Sequence, residues 1–325
     1  MEEYLLKRNQ AHFSQAKGTP PTVAPLSQEI DFAGCNATTE LILQGGYSHE
    51  DLLIDHLKAI SAPAIDSKLT DNEFKEKIKH WKERTTTSPS GVHLGHLKSY
   101  YALHDIDTEK DPEIHKAFEG KRNQILSAHL CLLNYAIDQG YSYSRWQNIA
   151  TMMIEKELGN HKIHRLRVIH LYEADYNLLL CVKWRQVVQH ATKQGTLNPS
   201  QNGGRPGHNA PDVVFIEELE YEICRATRTS LGKFDNDATS CYDRILCWLA
   251  NVSSRKYGLN KKICIVQGKT LEQAKYHLRT QLGISEGFIQ HCKAHPIYGT
   301  GQGSGNSPAY WLFISSILFD MHALK

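Results

Sequence analysis

Lys233-Phe-Asp-Asn-Asp-Ala-Thr-Ser-Cys-Tyr-Asp-Arg-Ile245 is the stretch on which the reading of this chain turns. Asp235, Asp237 and Asp243 crowd what the pattern marks as a strand-to-helix junction. A short strand is expected near Ser230–Asp235, ending at Asp237, and a helix over Tyr242–Val252. A carboxylate at a strand end, facing a cleft, is what a Mg²⁺ needs when it also holds substrate phosphates. Like charges this close repel unless a cation answers them. Arg244 can answer Asp243, leaving Asp237 for a metal. A plainer reading uses the same residues: Asp235 and Asn236 form an Asx turn, while Asp237 or Ser240 caps the next helix.

Downstream, Tyr298-Gly-Thr-Gly-Gln-Gly-Ser-Gly-Asn-Ser-Pro308 places glycine at alternate positions, so the backbone can approach a ligand closely. It is not a P-loop, which would need Lys at 306 and Gly at 300, where the chain has Asn306 and Thr300. The dinucleotide G-x-G-x-x-G pattern also fails, ending on Ser304, Asn306 or Pro308.

Around these two segments lie 325 residues, 41% hydrophobic and 22% charged, an ordinary globular composition with room for a core. No uncharged apolar run is long enough to span a membrane, and Met1–Gln10 is charged rather than signal-like. No membrane partner is therefore expected, and the location is read as intracellular. Eight cysteines are scattered without a C-x-x-C pair, which argues against a disulfide framework or zinc ribbon and for buried small hydrophobes. Among 18 histidines, His93-Leu-Gly-His96, His161-Lys-Ile-His164 and His291-Cys-Lys-Ala-His295 have metal-like spacing but no second half-site. They read as hydrogen-bonding or surface histidines. Between Asn251 and Lys293, the cations Arg255, Lys256, Lys261, Lys262, Lys269, Lys275, Arg279 and Lys293 meet only Glu272 and Glu286. Such a segment suits a phosphate backbone, or equally a solvated basic face.

Residues 1–69 are weakly patterned, and Lys17–Pro25 reads as a linker or a packed arm. Thr70-Asp-Asn-Glu73 has capping-box spacing and opens a helix with Phe74, Ile78 and Trp81 on one face. Thr85–Ser90 breaks that helix, and a longer one covers about 113–138 with Gly140 as its C-cap. Trp146–Glu155 and Leu166–Leu171 read as strands about a turn at Gly159, Tyr172–His190 as a helix and Gln194–Asn209 as a loop. Asp212–Thr227 is an amphipathic helix with Phe215, Ile216, Leu219, Ile223 and Ala226 on one face. Ser307 and Pro308 supply an N-cap and N1 proline for Ala309–Ala323, apolar nearly all round and so expected to be buried. Helices mixed with few, separated strands give an α+β class.

In order, these segments resemble reverse transcriptases of the non-LTR retrotransposon kind. That family's first palm motif is an aspartate, four variable residues, an aromatic and a second aspartate, as in Asp237-Ala-Thr-Ser-Cys-Tyr242-Asp243. The resemblance implies that Asp237 is a catalytic metal ligand and that the Ala238 carbonyl helps hold Mg²⁺, with Mn²⁺ as a substitute. Tyr242 becomes a steric gate, because an aromatic edge beneath the sugar leaves no room for a 2′-hydroxyl. Gln302-Gly303-Ser-Gly-Asn-Ser307-Pro308 matches the family's Gln-Gly and Ser-Pro motif, placing Gln302 and Gly303 against the incoming nucleotide. Arg167-Val-Ile with Asp175-Tyr176 follows a fingers segment, although Val168 replaces the usual Pro. Lys156 sits where the family has a fingers lysine, so Lys156 and Arg167 are implied to grip a triphosphate. The plainer alternatives are an exposed lysine and a surface ion pair between Arg167 and Asp175. Gln201-Asn-Gly-Gly-Arg205 and, less closely, Ser88-Pro-Ser-Gly91 with Lys98 match two further elements.

The resemblance implies a right-hand polymerase: a helical N-terminal extension (1–69), fingers (70–210) and a partial ferredoxin-like palm (211–325). Its partners would be an RNA template, a DNA primer and a dNTP. Arg255, Lys256, Lys261, Lys262, Lys275 and Arg279 would hold nucleic acid. A nuclear location is implied because such elements must reach chromosomal DNA. The family's Asp-Asp hairpin, expected a few tens of residues after the Ser-Pro helix, does not appear before Lys325. A two-metal transfer needs carboxylates from both motifs, so no polymerisation by this polypeptide alone is expected. Two other classes stay open: a non-catalytic nucleic-acid-binding remnant of a retroelement, and a glycosyltransferase using Asp235-Asn-Asp237 as a D-x-D metal site.

Overall fold

Local signals set several elements before any packing. Thr70 Oγ1 accepts from the Glu73 N–H (3.3 Å) and Glu73 Oε2 from the Thr70 N–H (2.9 Å), closing the expected capping box. Thr70→Ala should therefore cost about 1 kcal/mol, measurable as a shifted urea midpoint. Gly140, at φ +56°, ends the long helix before it, in a left-handed conformation that favours glycine.

The structure, a computed structural model, describes residues 1–23, 25–47, 52–59, 62–82, 89–99, 112–233, 237–238 and 240–323. In chain order the elements begin with α1 (Glu2–Phe13), α2 (Pro20–Val23), α3 (Pro25–Glu29), α4 (Ala37–Gln44), α5 (Leu52–Ala59), α6 (Asp71–Lys79), α7 (Leu94–Ser99) and α8 (Pro112–Gln139). Then come β1 (Asn148–Glu155), β2 (Leu166–Leu171), α9 (Ala174–Gln194), α10 (Ala210–Thr227), α11 (Cys241–Arg244), α12 (Cys247–Lys256) and α13 (Lys261–Glu272). The last are β3 (Lys275–Thr280), β4 (Gly283–Gln290) and α14 (Ser307–Ala323). The protein is a mixed α+β fold. No helix among the described residues is long and apolar enough to cross a membrane.

The sheet has strand order β2-β1-β3-β4. Each hairpin is antiparallel, and the two join through parallel pairing of β1 with β3, Ala150 opposite His277 and Met152 opposite Arg279. Only β3 and β4 of this sheet lie within the expected palm region 211–325. The sheet also draws strands from both sides of the expected boundary at 210. One face, with Ile149, Val168, His170, Tyr276, Leu278 and Ile289, is buried. Phe13, at the end of α1, packs on it against His170 and Tyr276, with ring centroids 4.8 and 6.5 Å away. The opposite face carries Arg167, Ile169, Met152, Ile154, His277, Arg279 and Phe288 and is largely open. A second core lies among helices, where Trp184 meets the Tyr310 ring edge-on and Tyr257 stacks on Phe313.

Several expectations are corrected. No strand forms in the described part of Ser230–Asp235 (230–233), and residues 234–236, Asp235 among them, lie outside the described residues. A strand persists only where a neighbour takes up its backbone groups, and among the described residues no strand pairs with 230–233. The expected Tyr242–Val252 helix is two pieces, α11 and α12. Between them the Ile245 carbonyl turns aside to accept from the Gly299 N–H (2.8 Å). α10 forms on its own Asn209–Asp212 capping box, yet none of its residues is buried and Phe215 is 69% exposed. α14 starts at Ser307, the residue expected to be its N-cap, and Leu318 and Phe319 near its end are exposed. Within the expected helical N-terminal extension, α1 packs on β3 and β4. All eight cysteines are free, but only Cys35, Cys247 and Cys264 are buried, while Cys131 and Cys292 are exposed.

Candidate functional site

β2 alternates as a half-buried strand should, with Val168 and His170 inward and Arg167 and Ile169 outward. Its free edge is taken by the glycine loop. Gln302 pairs in parallel with Ile169, and the His170 N–H donates to the Gln302 carbonyl at 2.7 Å. A bridged pair points to one side, so Gln302 shares the open face with Arg167. The approach is too close for side chains at 301 and 303. A Cβ on Gly301 would stand 2.3 Å from His170 Nδ1, and one on Gly303 would stand 2.3 Å from the His170 carbonyl. Both residues also have φ in the left-handed region, at +73° and +116°.

Three further elements hold the loop. The Thr300 N–H donates to the Tyr242 carbonyl (3.0 Å), and the Tyr172 hydroxyl donates to the Thr300 carbonyl (2.8 Å). From α9, Asn177 Oδ1 accepts from the Gly305 N–H (2.6 Å) and its amide donates to the Gly303 carbonyl (3.2 Å). The Ser307 hydroxyl turns back to the Gly301 carbonyl (2.9 Å), while the Asn306 carbonyl accepts from the Tyr310 N–H (3.0 Å). Ser307 thus serves the loop, and Pro308 follows one position inside the helix.

The turn before α11 contains Ser240 at φ +50°, a conformation that costs a non-glycine residue on the order of 1–2 kcal/mol. Asp237 and Ala238 are exposed just ahead of it, and Tyr242 is half-buried. Asp243 is buried at 4% exposure. Arg244 does not answer it, because its guanidinium donates to Gln15 Oε1 (2.8 Å). Instead His12 Nε2 lies 2.9 Å from Asp243 Oδ2. Asp243 Oδ1 and both ring nitrogens of His170 are buried with no hydrogen-bond partner among the described residues. Burial holds the His170 imidazole down at about 4, against an opposing pull from Asp243.

The remaining expected residues fall in different places. Lys156, exposed, opens the turn between β1 and β2, and Arg167 is exposed opposite Ile154. The Arg167–Asp175 pair does not form, because Asp175 is buried against Arg145, Trp146 and His129. Among the six expected nucleic-acid cations, Arg255 and Lys261 bind Glu40 and Lys262 binds Asp138. Lys256 is buried and donates to the Lys58 carbonyl (2.9 Å). These four are engaged within the chain. Lys275 lies over the Phe288 ring at 5.1 Å, and Arg279 shares its face of the sheet. Gln201 is buried and donates to the Ser315 hydroxyl of α14 (3.0 Å). Ser88 lies outside the described residues, and Lys98 donates to the Trp81 carbonyl (3.1 Å).

Asp237 with the neighbouring Ala238 carbonyl is an all-oxygen donor pair, the ligand type of Mg²⁺ or Mn²⁺. Among the described residues no group of three or more metal-binding side chains exists. Sequence reading missed Asn177, Tyr172, His170 and His12. Strand alternation from the expected β2 could have assigned His170 inward. Nothing local could have paired His12 with Asp243. Compared with models of known families and with curated proteins, the chain matches none.

Proposed function

We propose that this chain is the fingers and first palm segment of an RNA-directed DNA polymerase of the non-LTR retrotransposon kind, binding a dNTP, an RNA template and a DNA primer. One observation carries the reading. Gln302 lies beside Ile169 on the face that bears Arg167, while the same loop is held at Thr300 by the Tyr242 carbonyl. Motifs far apart in sequence thus meet around one strand edge and one turn.

In this reading Arg167 and Lys156 offset triphosphate charge, and fixed cations do so with little reorganisation. Gln302 and the bare backbone at Gly303 shape the floor under the base, and Tyr242 excludes a 2′-hydroxyl. In an intact enzyme of that kind, a primer 3′-hydroxyl gives up its proton to solvent and its oxygen bonds to the α-phosphorus as the bond to pyrophosphate breaks. The Mg²⁺ held with Asp237 and the Ala238 carbonyl would supply charge neutralisation on the phosphates. A simple phosphate-binding remnant has less support, because Arg255, Lys256, Lys261 and Lys262 are engaged inside the chain. A D-x-D glycosyltransferase leaves the packing of Gln302 on β2 without a role.

Binding is the direct test. Calorimetry should show Mn²⁺-dependent dATP binding that weakens about tenfold or more in Asp237→Ala, the equivalent of at least ~1.4 kcal/mol. Tyr242→Ala should bring ATP close to dATP in affinity. No dATP binding by the parent chain, or equal binding after Asp237→Ala, would overturn the assignment.

A further inference from the structure

The end of α1 reaches both halves of the candidate site. His12 Nε2 bonds Asp243 Oδ2 at 2.9 Å and Gln15 Oε1 accepts from Arg244 at 2.8 Å, so two neighbouring residues of the turn are held from one helix end. Between them, the Phe13 carbonyl accepts from the Tyr298 N–H (3.0 Å) and the Ser14 hydroxyl donates to the Pro296 carbonyl (2.7 Å). Those two contacts fix the backbone that leads into the glycine loop. Phe13, 1% exposed against His170 and Tyr276, anchors the helix end to the buried face of the sheet.

Asp243 is the centre of this arrangement. Its Oδ1 has no partner among the described residues, so His12 supplies its one side-chain hydrogen bond there. The adjacent Tyr242 and Ile245 carbonyls receive the N–H groups of Thr300 and Gly299. A shift of Asp243 therefore moves the acceptors on which the loop hangs. Buried carboxylates are costly to leave unpaired, so the turn should rearrange when His12 is removed.

We propose that His12 is a positioning residue of the candidate nucleotide site: through Asp243 it sets the turn that holds the glycine loop, which makes the N-terminal helix a component of the site. The inference rests on the proposed function only for the word nucleotide, and the coupling itself is testable without it. Amide hydrogen exchange on the full chain reads the coupling, with α13 amides as the internal reference.

In His12→Ala the Gly299 and Thr300 amides should exchange about tenfold faster while α13 is unchanged, since local opening exposes only the groups it releases. His12→Gln, which keeps an N–H donor, should restore protection. Gln15→Ala, which leaves no charge buried, should give a smaller effect of the same kind. If the parent binds dATP with Mn²⁺, its affinity should fall and recover across the same variants. Unchanged exchange at Gly299 and Thr300 in His12→Ala overturns the inference. So does equal acceleration in α13, or failure of His12→Gln to restore protection. Absence of dATP binding in the parent removes the functional reading alone, and the exchange result then decides the coupling.

Discussion

Asp175→Ala is expected to destabilise the protein by about 3–5 kcal/mol, the range for removing one partner of a buried ion pair. Asp175 has no exposed side-chain surface and stands in the first turn of α9. Its Oδ1 accepts from Arg145 Nη1 (2.8 Å), Trp146 Nε1 (3.1 Å) and the Tyr176 N–H (2.8 Å). Its Oδ2 accepts from a second Arg145 nitrogen and lies 3.2 Å from His129 Nε2. Truncation strands these donors together and also removes a carboxylate from a helix N-terminus. Urea unfolding at neutral pH measures the loss. Asp175→Asn keeps an acceptor and should lose less, so equal losses would contradict the hydrogen-bond account.

The same carboxyl gives acid stability a defined lower stage. Burial raises Asp175, but the hydrogen bonds from His129 and Arg145 outweigh burial and hold it at about 2. A group depressed in the folded state contributes above its unfolded value, near 3.8, and that contribution is lost as pH falls through about 2.

His170 supplies a separate, upper stage and the second large effect. Its imidazole is held at about 4, mainly by burial, against 6.5 in the unfolded chain. Below 6.5 the unfolded state therefore binds a proton that the folded state refuses, and stability declines until pH reaches about 4. Across that window the loss should be about 3 kcal/mol, from ~1.4 kcal/mol per unit of displacement. His170→Phe retains a flat ring between Phe13 and Tyr276 and has no proton to take up. Its urea midpoint should fall less steeply between pH 6.5 and 4 than the parent's. Parallel curves would show that His170 is solvated or paired in the native state.

What the sequence made legible is what neighbouring residues decide. Thr70 and Glu73 are three apart and cap their own helix, and Gly140 stops α8 by its own backbone preference. The β2 strand could be read because Val168, Ile169 and Leu171 make a short, largely apolar run. Charges were read poorly, because a cation's partner lies wherever the fold brings an acid. Arg244 went to Gln15 rather than Asp243, Asp175 to Arg145 rather than Arg167, and Arg255 to Glu40. Amphipathicity identified α10 as a helix without telling what would cover Phe215 and Leu219. The convergence of Gln302, Arg167 and Tyr242 was foreshadowed only by motif resemblance, since no spacing rule relates a loop to a strand edge so distant in sequence.

Pairing β1 with β3 sets an order of events during synthesis. The inner strands of the sheet leave the ribosome with the whole of α9 to α13 between them, so a lone β1–β2 hairpin emerges with no neighbour for its inner edge. Such distant pairings form late. α1 lies far upstream of its docking ground on β3 and β4. Phe13 therefore stays uncovered on its Tyr276 side until β3 is made. The helix is thus made well before the strands that seat it.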